Sequence, residues 1–154
     1  MSAGGGRSDA TYTASVVGGT GFTGGELLRL LFQHPEFSVR QATSRSKARK
    51  TVGHVHPNLR AMDLRFTSPE DLESVDVLFA ATPHGVSMER IDAFRAAADT
   101  VVDLSADFRL DTEPEYDEWY DGHSRPELLD DSEYALPEIN RGNLPGADLI
   151  ASGG

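Results

Sequence analysis

Five glycines fall within eight positions in SVVGGTGFTGGELLRLL, between an apolar run ending at Val17 and a leucine-rich one that begins after Gly25. Few folds have a use for so bare a stretch of backbone. Glycine takes left-handed turns that other residues resist, and it lets a second backbone or a ligand come to contact distance. Gly19-Thr20-Gly21-Phe22-Thr23-Gly24 has the spacing G-x-G-x-x-G, and Gly18, Gly21 and Gly24 fit G-x-x-G-x-x-G equally well. In either frame one glycine makes a tight turn, the next admits a pyrophosphate, and the third lets a helix pack closely on a strand. The helix start adds free N–H groups and the positive end of a dipole. The competing reading is a glycine turn with no ligand.

The rest of the chain supplies the context that this spacing requires. Apolar, β-branched runs at 13–17, 37–42, 75–80, 100–104 and 148–151 read as strands. Helical patterns lie between them. Residues 22–32 place Leu27, Leu28 and Leu31 on one face and stop before Pro35, while 86–98 repeat Met88, Ile91 and Phe94 at three-residue steps. Parallel neighbours need crossovers, so this alternation predicts an α/β, doubly wound Rossmann-type sheet with helices on its faces. Residues 105–145 break the rhythm with an acidic excursion carrying short helices. The expected organisation is a disordered tail over 1–10 and one dinucleotide-binding domain over 11–154.

The end of the second strand selects the cofactor. NAD-binding versions carry an acidic residue about 20 positions beyond the glycines to hold the ribose hydroxyls. Here that spacing reaches Ser44, in ATSRSKARK, a loop without a carboxylate that holds both lysines of the chain, Lys47 and Lys50. Arginine beside serine hydroxyls suits a 2′-phosphate, which predicts NADP; the alternative is a solvated basic loop. The cofactor-binding candidates are therefore Gly18, Thr20, Gly21, Phe22, Thr23, Gly24, Ser44, Arg45, Ser46 and Lys47, with Pro83 from the loop AATPHGVS.

Other residues carry weaker signals. His84 in that loop could serve as acid or base, although no partner is visible and a structural role is the commoner one. Ser105 and Arg109 in DLSADFRL could bind an anionic substrate group, or Arg109 could pair with Asp107 or Asp111. His54 and His56 stand two apart without an acidic or thiol companion, so no metal site is expected.

Charge narrows the partners. A formal charge of −11 repels nucleic-acid backbones and anionic lipid, so neither is expected as a partner. So acidic and lysine-poor a chain suits a salt-rich cytoplasm, where counter-ions screen self-repulsion. There is no cysteine for a disulfide or thiolate site, and no run approaches a membrane span. The glycine-rich opening lacks the apolar core of a signal peptide.

GGTGFTGGELLRLL, ATSR, HPNLR, PHGVS, VDLSADFRL, YALPEINR and ASGG stand in this order over residues 13–154. Together they resemble the N-acetyl-γ-glutamyl-phosphate reductases, and HPNLR is most similar to the branch acting on substrates linked to a LysW-type carrier protein, in lysine and arginine biosynthesis. The resemblance implies NADPH-dependent reduction of a glutamyl or aminoadipyl phosphate to its semialdehyde. It implies a cysteine nucleophile directly after ASGG, hence after Gly154, then a substrate and dimerisation domain, and a homo-oligomer at full length. On this reading the chain is a cofactor-binding half that is inactive by itself.

Two other classes compete. A noncatalytic NADP sensor would need no nucleophile, and an aspartate-semialdehyde dehydrogenase relative would run the same chemistry on another acyl phosphate. Extended short-chain dehydrogenases share the glycine loop but need a tyrosine four residues before a lysine, which neither Lys47 nor Lys50 has.

Overall fold

Apolar residues at every second position open the chain as a strand, β1 (Tyr12–Val17), whose Ala14 and Val16 are completely buried. The computed structural model describes residues 10–153, so the tail expected over 1–10 lies outside the described residues except for Ala10. After β1 come α1 (Phe22–Gln33), β2 (Phe37–Thr43), the single turn α2 (Val52–Val55) and the short β3 (Phe66–Thr67). The second half runs β4 (Val75–Ala80), α3 (Val86–Ala97), β5 (Ala98–Asp103), α4 (Glu113–Trp119), β6 (Glu133–Ala135), α5 (Pro137–Asn140) and β7 (Leu149–Ser152).

The strands form one sheet in the order β3-β2-β1-β4-β5-β7-β6, and every pairing is parallel. Winding reverses between β1 and β4, which are hydrogen-bonded neighbours although α1, β2, α2 and β3 separate them in sequence. At such a reversal the loops leaving both strands diverge to opposite faces and open a crevice at the carboxyl edge.

The helices cover both faces, as the period-two alternation of the strands demands. Leu28 and Leu31 of α1 pack with Ala14, Val16 and Ala42, while Met88, Ile91 and Phe94 of α3 pack with Leu78, Ala80 and Val101. Phe79, between Leu78 and Ala80, joins the α1 cluster, so the two helices lie on opposite sides. All the strands expected from sequence are present within two residues at each end. The edge strands β3 and β6 had no signal because two and three residues are too short for a period to show. The acidic excursion docks on the α3 face through Phe108, Tyr116, Leu128 and Leu129.

No helix among the described residues is long and apolar enough to cross a membrane. With 25 acidic against 14 basic residues, the carboxylates far outnumber the cations available to pair with them. Screening that repulsion stabilises the compact state. The melting temperature should therefore rise as KCl goes from low to molar concentration, and a flat or falling curve would contradict salt adaptation.

Candidate functional site

Gly18 follows β1 with φ of +79°, and a Cβ there would be driven into the carbonyl of Ala81, the residue after β4. This position has to be glycine for both its turn and its neighbour. Gly24, in the first turn of α1, lies against the backbone of Gly18 and Gly19, where a Cβ would stand 2.8 Å from the Gly19 Cα. Gly19, of the other frame, is tight as well, with an added Cβ only 2.9 Å from the Phe66 ring, so both frames that the sequence allows have a use for glycine here.

Gly21 is different. Its φ of −74° and ψ of 172° suit any residue, and the nearest atom to an added Cβ is 3.7 Å away. The fold itself leaves this space open. Gly21 is the N-cap of α1, and no side chain caps that helix and no acidic residue occupies its first turn. The leading N–H groups therefore remain for a ligand of negative charge, as a pyrophosphate would be.

His56 holds the turn from behind. Its Nε2 lies 2.7 Å from the Gly19 carbonyl oxygen, and its ring fills the room that Gly25 leaves. The histidine pair of HVHPNLR is split accordingly, with His56 against the glycine loop and His54 exposed.

A cleft of about 210 Å³ opens between the loops that follow β1, β2 and β4. Gly18, Thr20, Ser44, Arg45, Ser46 and Pro83, all singled out from sequence, line it. Ser44 is buried, accepts from the Lys47 N–H at 3.1 Å and stands 3.4 Å from the Thr20 hydroxyl. Lys47 does not line the cleft. Thr23 and Phe22 are exposed beside the uncapped helix start, Phe22 completely so. Thr82, Val86 and Arg90 also line the cleft and were not foreseen. Thr82 adjoins Pro83, and Arg90 comes from one helical turn beyond Val86, so position on α3 was the available signal.

His84 gains the partner that sequence could not show. Its Nδ1 lies 3.0 Å from Asp107 Oδ1, and its ring stacks on Tyr120 at 4.8 Å. Asp107 is fully buried and also accepts from the N–H groups of Gly85 at 2.8 Å and Met88 at 3.0 Å, which caps α3. Twenty-three residues and one strand separate the pair, beyond the reach of local pattern.

Ser105 and Arg109 lie outside the cleft. Ser105 is buried, its hydroxyl donating to Asp103 at 2.7 Å and accepting from the Asp107 N–H at 3.1 Å. Burial pushes the Asp103 carboxyl above the usual range, against the pull of the Ser87 and Ser105 hydroxyls. Arg109 makes neither of the expected pairs with Asp107 or Asp111. It donates through Nε to the Ser152 carbonyl and through Nη2 to the Leu104 carbonyl, each at 2.8 Å, and so ties the carboxyl ends of β5 and β7 together.

A parallel sheet with a glycine turn at its switch point and an uncapped helix behind that turn defines a dinucleotide-binding domain. More particularly, the chain belongs to the semialdehyde dehydrogenase NAD-binding family, whose family model, described as "Semialdehyde dehydrogenase, NAD binding domain", matches residues 13–147. A Haloarcula marismortui protein called LysW-L-2-aminoadipate/LysW-L-glutamate phosphate reductase is 81% identical over 144 residues, 94% of this chain and 42% of that relative. A Natronomonas pharaonis protein of the same name is 79% identical over 93% of this chain and 41% of its own length. These relatives bear out the resemblance to the carrier-linked branch, and the chain spans about two fifths of their length. Among solved structures, Vibrio cholerae aspartate semialdehyde dehydrogenase II aligns with a TM-score of 0.66 at 17% identity, over 94% of this chain and 38% of that one. Candida albicans aspartate semialdehyde dehydrogenase with NADP gives 0.61 at 18% identity, over 93% of this chain and 42% of that one. At such identities the likeness is one of fold.

Proposed function

We propose that this chain is the NADPH-holding part of a cytoplasmic acyl-phosphate reductase that forms the semialdehyde of a glutamyl or aminoadipyl group carried on a LysW-type protein. The observation that carries the reading is the open space at Gly21 in front of uncapped α1, in a chain 81% identical to a reductase of that name. The pyrophosphate would lie on the first turn of α1, and the 2′-phosphate would meet Arg45 and the hydroxyls of Ser44 and Ser46.

The cofactor supplies hydride. The reaction also needs a nucleophile that displaces phosphate and later leaves, and a thiolate does both near neutral pH. The resemblance to the carrier-linked reductases implies that it follows Gly154 directly, and β7 ends at the same carboxyl edge as the glycine turn. Arg109 is a fitting group for the substrate phosphate, since Nη1 has no partner among the described residues. A substrate and dimerisation domain would follow, making a homo-oligomer of the full-length protein.

The cofactor assignment has a direct test. NADPH should bind more tightly than NADH, and Arg45→Asp should erase or invert the preference through the loss of a charge-assisted phosphate contact, about ten- to hundredfold in affinity. Equal affinities for the two cofactors in the unmutated chain would remove the NADP assignment.

A further inference from the structure

Thr82 lines the cleft, and its hydroxyl lies 2.8 Å from that of Ser87, which in turn lies 2.6 Å from Asp103 Oδ1. Ser87 and Asp103 are both fully buried. A buried polar chain of this kind runs in one direction, set by its inner end.

Asp103 receives three hydrogen bonds. They come from the Ser105 N–H at 3.1 Å, the Ser105 hydroxyl at 2.7 Å and the Ser87 hydroxyl. The Ser105 oxygen itself accepts from the Asp107 N–H, so its hydrogen is free to point at the carboxylate. A carboxylate accepts and never donates. The Ser87 hydrogen is therefore directed inward, its oxygen takes the Thr82 hydrogen, and the Thr82 hydroxyl keeps only oxygen lone pairs to offer a further partner.

We propose that Thr82 is a specificity-determining residue of the cofactor site, a fixed hydrogen-bond acceptor polarised by Ser87 and Asp103 that recognises a donor on the adenosine half. The donors available there are the ribose 3′-hydroxyl and the adenine amino group. The adenosine half is indicated because the same cleft is lined by Ser44 and Arg45. Phosphate oxygens, which also accept, are turned away from this wall and toward the N–H groups of α1 and the guanidinium of Arg45. The inference rests on the dinucleotide reading above and adds a polarity to the site.

The test measures dissociation constants of NADPH and of adenosine 2′,5′-bisphosphate for the chain and for Thr82→Val, Thr82→Ser and Ser87→Ala, with the melting temperature of each. Thr82→Val is isosteric and should weaken both ligands about tenfold, because their donor then faces a methyl group. Thr82→Ser should stay within about threefold, and Ser87→Ala should fall between the two, since the hydroxyl survives without its fixed direction. Melting temperatures lowered by Thr82→Val and Ser87→Ala with both affinities unchanged would show a purely structural staple and overturn the proposal. Unchanged affinity of Thr82→Val for the bisphosphate alone would also overturn it. Failure of the unmutated chain to bind NADPH at all would instead overturn the dinucleotide reading.

Discussion

In a protein continued through the second domain, changing the cysteine expected directly after Gly154 to alanine should abolish turnover, by about four orders of magnitude or more, and leave NADPH affinity within about threefold. The asymmetry follows from where the two groups come from. The loops that would grip the cofactor follow β1, β2 and β4, all within this chain, whereas the nucleophile would follow β7. Nothing that binds NADPH changes when the thiol is removed, so substrate reduction and, in reverse, phosphate-dependent oxidation of the semialdehyde should fail together. The 154-residue chain, which has no cysteine, should bind NADPH and show neither reaction. Measurable turnover by it, or an extended protein indifferent to the alanine, would show the chemistry to be misplaced.

The glycines should separate stability from binding. Gly21→Ala should leave the melting temperature unchanged or slightly raised, because φ of −74° is open to alanine and the nearest atom is 3.7 Å from the new methyl. The same methyl occupies the approach to the α1 N–H groups, and NADPH affinity should fall about thirtyfold or more, roughly 2 kcal/mol. Gly24→Ala acts the other way. Its methyl meets the backbone of Gly18 and Gly19, which cannot move without opening the β1 turn, so destabilisation of about 2–4 kcal/mol is expected despite the gain in helix propensity. Calorimetry with and without NADPH measures both quantities. A Gly21→Ala variant that binds NADPH normally would mean that no phosphate lies against the start of α1.

Much of this architecture could be read from the chain because its signals are local. The glycine spacing, the leucine face of α1 and the Met88, Ile91, Phe94 repeat each fall within a dozen residues, and the sheet followed from their alternation. Ser44, Arg45 and Pro83 were legible because a Rossmann-type fold puts the loops after successive strands on one edge. What escaped was set by distance. His84 meets Asp107 across β5, Asp103 reaches Thr82 through Ser87, and Arg109 turns to two carbonyls rather than to a nearby acid. Backbone acceptors carry no mark in a sequence, so an arginine that binds them looks the same as one reserved for a ligand. The edge strands β3 and β6 were missed for brevity.

The cleft lined by Gly18, Thr20, Ser44 and Arg45 should hold a dinucleotide with a 2′-phosphate. Titrating NADPH and NADH separately into the chain at molar KCl, followed by calorimetry, tests it most directly. The expected result is saturable one-to-one binding of NADPH, with NADH weaker by about tenfold or more and the difference lost in Arg45→Asp. No binding of either nucleotide, or indistinguishable affinities that Arg45→Asp leaves unchanged, would contradict it.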